Sequence, residues 1–302
     1  MHASLNAIAD ELRRLKAGGV KNVPVSEEAL AGLRDLVAAR QPAPAPPPVP
    51  PPAPVVYSQL RQPSARAPSK SAAASGRKLP EPPVVSLPEG DKKTRWDALL
   101  NLVTSNPVCL EHARPGKKVV LGVGSLDARI FFCGEAPGAE EEVQGEPFVG
   151  PAGQLLTKMI QAMGLARGDV YIGNIMNWRP ELPAAPGVEQ IGNRPPTAEE
   201  MAYCMPFLRA QLEIVNPVLI VALGATAARG LLGADSFTTL GSIRGRWHEF
   251  GGKPLMVTYH PSYILRTPTN RAKRVVWEDL LLVMEKAALP ISEKQRGYFL
   301  GR

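Results

Sequence analysis

Proline fixes φ and removes a backbone donor, so neither helices nor central strands accept it in number. Yet 15 of this chain's 32 prolines stand between Gln41 and Gly90, in runs such as PAPAPPPVPPPAP, with Tyr57 as the sole aromatic. Such a stretch has too little apolar surface to offset the entropy of ordering, and polyproline II is its expected local state. The tract divides the 302-residue chain into a short helical segment over 1–40, a disordered basic linker over 41–90 and a domain over 91–302. About 210 residues suffice for one substantial core.

Ahead of the tract, SLNAIADELRRLK over 4–16 spaces Leu5, Ile8, Leu12 and Leu15 at helical intervals, and Ser26 opens a second helix, SEEALAGLRDLVAA. Two short amphipathic helices bury little alone, so this hairpin is a candidate surface for a protein partner. The net charge of +7 divides as +1 over 1–40, +3 over 41–90 and +3 over the rest. Arg61, Arg66, Lys70, Arg77 and Lys78 form a basic run that fits either a polyanion partner or a solubilising linker.

Several classes are excluded. The best apolar run, Val218 to Leu223, is strand length, far short of the roughly 18 residues of a membrane span. The N-terminus lacks the basic-then-apolar pattern of a secretory signal, and Cys109, Cys133 and Cys204 form no CxxC pair, so a cytoplasmic protein with reduced thiols and no membrane association is expected. There is no GxxxxGK[ST] phosphate loop and no GxSxG elbow; GVGSLD lacks its third glycine; no HxxxH or clustered His/Cys spacing suggests a metal.

From Trp96, whose helix runs to Ser105, strands alternate with helices. Strands are predicted over Arg129–Cys133, Asp169–Asn174, Pro217–Leu223 and Pro254–Tyr259, and helices over Gly153–Met163, Thr197–Val215 and Ala272–Ala288. That alternation implies an α/β domain with a parallel sheet covered on both faces, which binds ligands beyond the carboxyl ends of its strands. The segments at those ends are GEAPGAEEEVQGEPFVGPAGQLL, NIMNWRP, GATAARG and HPSYILR, so Glu135, Asn174 and His260 are expected to converge on one mouth.

In this order, GEAPGAEEE…PFVGPAGQLL, YIGN…WRP…GNRPPTAEE, PVLIVALGATAARGLLG, IRGRWHEF and TYHPSYILR…VWEDL resemble the uracil-DNA glycosylase superfamily, and within it the family 4 enzymes, over about residues 95–290. The resemblance implies a three-layer αβα sandwich with a central four-stranded parallel sheet, and a monofunctional enzyme that flips uracil out of DNA and hydrolyses its N-glycosidic bond. His260 and the backbone amides of Glu135 and Ala136 would then face the uracil O2, where negative charge develops. Asn174 would read the O4 and N3–H edge and Phe148 would stack on the base. Glu135 and Glu141 are the candidates for orienting water, because Ala136 stands where the best-known uracil glycosylases carry an aspartate. A run such as Glu140, Glu141 and Glu142 is otherwise a solvated helix face.

Ser262, Tyr263, Ile264 and Leu265 are candidates for a wedge into the base stack, with Tyr263 to Leu265 alternatively core residues. Arg266, Arg271, Lys273 and Arg274, with Arg244 and Arg246, are candidates for phosphate contacts. Family 4 enzymes hold an iron–sulfur cluster on four cysteines; the corresponding positions here are Asn106, Cys109, Trp178 and Cys204. Two thiolates do not hold such a cluster in the usual way. A chain without cofactor or metal is therefore expected, with Cys109 and Cys204 as remnants, acting as a monomer on uracil-containing DNA. The longer segment Glu181 to Asn193 is a second departure, placed to alter substrate preference. A non-catalytic uracil or nucleic-acid recognition module, or a glycosylase for another deaminated base such as hypoxanthine, are the alternatives.

Overall fold

A computed structural model describes residues 79–182 and 189–300. The helices expected over 4–16 and 26–39 and most of the proline-rich tract lie outside the described residues, as do 183–188 in the longer segment.

In chain order the elements are α1 (Lys92–Thr104), α2 (Pro107–His112), β1 (Val123–Gly124), β2 (Ile130–Gly134), α3 (Ala139–Gln144), α4 (Pro151–Ala162), β3 (Tyr171–Asn174), α5 (Ala198–Val215), β4 (Leu219–Leu223), α6 (Ala225–Leu232), α7 (Leu240–Ile243), β5 (Trp247–Phe250), β6 (Lys253–Thr258), α8 (Pro261–Arg266), α9 (Asn270–Lys286) and α10 (Glu293–Arg296). Local chemistry sets the longer boundaries. Thr197 caps α5 through the Glu200 amide while the Glu200 carboxylate returns to the Thr197 amide, and Asn216 ends the helix in the left-handed region.

The sheet runs β1-β3-β2-β4-β6-β5. Its four central strands are parallel, as expected, and β1 and β5 add antiparallel edges that the sequence reading did not foresee. After β2 the chain first places β3 on one side and then β4 on the other. The carboxyl end of β2 therefore stands at the point where the winding reverses, the usual ligand crevice of such sheets. The register sets Gly134 of β2 beside Asn174 of β3.

Alternate strand residues feed opposite layers. Phe132, Ile172, Val221 and Met256 pack with Leu156 and Ile160 of α4, Ile264 of α8 and Trp277, Leu280 and Met284 of α9. Phe131, Tyr171, Ile220 and Leu255 face the other way, onto Leu208 of α5 and Ala227, Ala228 and Leu231 of α6. Both faces are dry, which is why these strands read as continuous apolar runs. Behind α5, a third cluster joins Leu99 and Val103 of α1 to Cys109, Trp178, Cys204 and Phe207, and Leu79, Val85 and Leu87 pack against it. The segment from residue 79 to Gly90, expected to belong to a disordered linker, is thus laid along the domain by its own apolar side chains. Among the described residues, no helix is long and apolar enough to cross a membrane.

Candidate active site

The carboxyl ends of the parallel strands open on a cavity of about 810 Å³, lined by Glu135, Phe148, Arg194, Thr226, His260 and Arg266 among others. Beside it, Asn174 is buried and its Oδ1 has no hydrogen-bond partner. Buried polar atoms are nearly always paired, so an orphan acceptor at a pocket marks a place for a ligand donor. A Cβ added to Gly134 would lie 2.4 Å from that Oδ1 and 2.5 Å from the Phe148 ring. Amide and ring both close on Gly134, an approach that is possible because this position carries no side chain.

Phe148 is held in a conformation that bulky residues avoid, with φ at 55°. Three contacts impose it. The Glu141 carboxylate accepts the amides of Val149 and Gly150 through Oε1, both at 2.9 Å, and that of Gly138 through Oε2 at 3.0 Å. Arg167 donates to the Pro147 carbonyl at 2.5 Å. Gly153 leaves room for the turn, since a Cβ there would meet the Phe148 carbonyl oxygen at 1.9 Å. Glu141 and Glu142 are therefore buried rather than solvated, and only Glu140 of the acidic run is exposed. Glu142 pairs with Arg179 at 2.9 Å and with Arg114.

His260 caps α8. Its Nδ1 lies 3.2 Å from the Ser262 backbone N–H, which can only donate, and 2.9 Å from the Ser262 hydroxyl. Nδ1 is thus an acceptor, and the ring proton sits on Nε2. Burial, with the Arg266 charge adding to it, pushes the imidazole pKa down to about 4, so the ring is neutral at physiological pH. The Phe148 ring centroid is 5.6 Å from that of His260. Gly224, at φ +93°, brings the start of α6 close, and a Cβ there would be 3.0 Å from the His260 Cβ. Glu135 is half-buried; desolvation raises its carboxyl pKa above the ordinary range and the Thr226 hydroxyl pulls it back.

Residues 121–281 match the family model described as the uracil DNA glycosylase superfamily. The chain belongs to that superfamily. It is 46% identical over 163 residues to the type-4 uracil-DNA glycosylase of Thermotoga maritima, covering 54% of this chain and 79% of the relative. The type-4 enzyme of Archaeoglobus fulgidus is 42% identical over 158 residues, with 50% and 74% covered. The type-5 uracil-DNA glycosylase of Pyrobaculum aerophilum is 33% identical over 181 residues, with 55% and 73% covered. Among the superfamily's members this chain is thus type-4-like.

The segment after His260 divides in two. Ile264, a candidate wedge residue, is buried in the core against α4 and α9, and Tyr263 stacks on Tyr259 at 4.3 Å. Leu265 is 47% exposed. Among the candidate phosphate contacts, Arg266 and Arg271 are exposed, and Lys273 lies over the Phe299 ring. Arg274 is taken up by Glu278 and by the carbonyls of Arg296 and Tyr298, and Arg244 by Asp279, which leaves neither free for a phosphate. Sequence reasoning missed Thr226 and Arg167. Thr226 stands in the GATAARG segment, three residues past the end of β4, whereas Arg167 had no motif to single it out.

The four positions that the family resemblance assigns to cluster ligands, Asn106, Cys109, Trp178 and Cys204, bring together only two thiols, which does not fit an iron–sulfur cluster held in the usual way. Cys109, Trp178 and Cys204 share one apolar cluster. Burial pushes the Cys109 thiol up to about 12 and the Cys204 thiol well above its ordinary value. Asn106 caps α2 and its Oδ1 also accepts from the Tyr203 hydroxyl at 3.1 Å. The Trp178 ring stacks on His112 with centroids 5.0 Å apart and leans against Tyr203. Among the described residues, no group of three or more His, Cys, Asp or Glu side chains is placed to hold a metal. The longer segment before RPP is stapled at its ends: Arg179 donates to Asn193 at 2.7 Å and to the Gly192 carbonyl at 2.8 Å, and Gln190 donates to the Pro180 carbonyl at 3.1 Å. Gly192 to Pro195 then line the cavity.

Two outcomes follow from this geometry. The His260 imidazole titrates near pH 4 in the free protein when followed by its ring resonances, and Arg266→Gln moves the titration upward while burial keeps it below the ordinary value of 6.5; titration near 6.5 in the wild type contradicts the assignment. Gly134→Ala pushes the Asn174 amide or the Phe148 ring out of place and weakens ligand binding at the mouth, measured on protein whose circular dichroism is that of the wild type; full binding by such folded protein contradicts the need for a bare position here.

Proposed function

We propose that this chain removes uracil from DNA by hydrolysing the N-glycosidic bond and leaving an abasic site. The observation that carries the reading is the buried, unpartnered Asn174 Oδ1 set beside the Phe148 ring and within reach of the mouth where a neutral imidazole stands. Uracil carries a donor at N3 and an acceptor at O4, the complement of an asparagine amide; cytosine presents an acceptor and a donor at the same places and is refused. The base must be extruded to reach the pocket, where Phe148 stacks on it. As the C1′–N1 bond breaks, its electron pair leaves with the uracil, and the His260 Nε2–H, with the amides of Glu135 and Ala136, stabilises the charge at O2. Water then adds to C1′, and Glu135 accepts its proton. Glu141, whose oxygens already hold three amides, acts by positioning Phe148.

Leu265, at the exposed end of α8, fills the space left in the stack. Arg266, Arg271 and Lys273 nearby meet phosphates and make binding salt-dependent. The protein works without an iron–sulfur cluster: Trp178 occupies with an aromatic ring the place that the family fills with metal-bound sulfur, and its stacking on His112 holds the α2 region to the segment after β3.

Purified protein is expected to release free uracil from a uracil-containing oligonucleotide with chelator present. His260→Ala lowers the rate by about 100-fold or more, the scale of losing one donor to a developing oxyanion, and Asn174→Asp lowers it by replacing the amide donor with a carboxylate. Binding without release would instead mark a recognition module, and preference for hypoxanthine over uracil in a substrate panel would sink the uracil assignment. The protein is colourless, without the visible absorbance near about 400 nm that iron–sulfur proteins show; stoichiometric iron and sulfide overturn the cluster-free reading.

A further inference from the structure

Asp279 lies on α9, outside every loop at the mouth, and is 1% exposed. Its Oδ2 accepts from the Thr258 hydroxyl at 2.6 Å and from Arg244 Nε at 3.0 Å, and its Oδ1 takes a second guanidinium nitrogen of Arg244. Arg244 also donates to the Val275 carbonyl at 2.8 Å, and its guanidinium lies 5.8 Å from the centroid of the Tyr259 ring. Gly245 fits around the carboxylate: at φ +67°, a Cβ there would stand 2.7 Å from Asp279 Oδ1, and its amide donates to the Val257 carbonyl at 3.0 Å. Thr258 ends β6, and from the opposite side its carbonyl accepts the Gly224 amide at 2.9 Å. Tyr259 and His260 follow directly.

We infer that Asp279 is a positioning residue for His260. It fixes the end of β6 through Thr258, and through Arg244 the ring of Tyr259. This inference rests on the role given to His260 above. A buried carboxylate is tolerated only when its oxygens are satisfied, and three donors from two separate segments do so here. The anchoring has a reason in the reaction. A donor aimed at a developing oxyanion contributes only if it is already in place, and a shift of about 1 Å costs on the order of 100-fold in rate. His260 has its own helix cap to set the ring's tautomer, but that cap turns with the loop. What fixes the loop against the sheet is the Thr258 bond on one side and the Gly224 amide on the other. Arg244, offered by its charge as a phosphate contact, is committed to this anchor.

The test uses the full chain and Asp279→Asn, with Thr258→Val as a milder variant that keeps the Arg244–Asp279 pair. Without DNA, the ring nitrogens of His260, assigned by their absence in His260→Ala, report a single neutral Nε2–H tautomer in the wild type. Both variants are expected to broaden or displace that signal. With a uracil-containing oligonucleotide, Asp279→Asn lowers kcat by about 10- to 100-fold and changes KM by no more than about threefold. In a His260→Ala background the same substitution costs little further, because its effect passes through the ring. An unchanged ring signal in both variants overturns the inference, as does an equal loss with and without His260. A wild type that releases no uracil while the ring signal still responds leaves the anchor standing and removes the catalytic reading instead.

Discussion

One carboxylate determines the shape of this pocket. Glu141 accepts three backbone amides from two stretches of chain, and Phe148, which lies between the tied ends, is forced into a left-handed conformation that it would not adopt alone. A strained bulky residue costs on the order of 1–3 kcal/mol and persists only where its surroundings over-determine it. Here the surroundings come from separate elements: Arg167 just ahead of β3, Gly153 in α4 and the Glu141 side chain in α3. The strain is met when the chain folds, so the ring is in place before any ligand arrives.

The electrostatics serve the same end. The imidazole at the mouth is neutral because it is buried beside an arginine, and its tautomer follows from an amide that can only donate. A protonated ring would be the stronger donor but would lose that amide and carry its charge beside Arg266. Glu135 is half-buried like the imidazole, and desolvation raises its carboxyl pKa. Two groups at one mouth are thus moved in opposite directions by the same loss of water.

The four central strands were legible because both faces of each are buried, which leaves runs such as PVLIVAL with no polar interruption. Their edges were not. β1 has only two residues, and β5 alternates exposed and covered positions too briefly to stand out. The convergence of Glu135 and His260 on one cavity, with Asn174 beside it, followed from strand ends alone. What three consecutive glutamates do did not, because a six-residue helix wedged against two loops buries acids that composition assigns to solvent. Ile264 was ambiguous for a similar reason: a short helix at a pocket rim turns one side to the core and the next residue outward, and one turn is too little to show periodicity. The pairing of Arg244 with Asp279 spans 35 residues, and the bonds of Arg274 to the carbonyls of Arg296 and Tyr298 span 22 and 24, beyond any local pattern; only its pairing with Glu278, four residues on, follows helical spacing.

The packing at Gly134 has a consequence for how this protein can change. The side chain there is already a hydrogen atom, the smallest that genetic coding provides. Every substitution at that codon displaces the Asn174 amide or the Phe148 ring, so drift at this position can only disturb the site. A lineage that came to accept a larger base, a purine for instance, would have to move a wall, and the nearest wall is the strained ring whose three restraints would then have to change together. Substrate range in such a site is conserved by geometry as well as by selection.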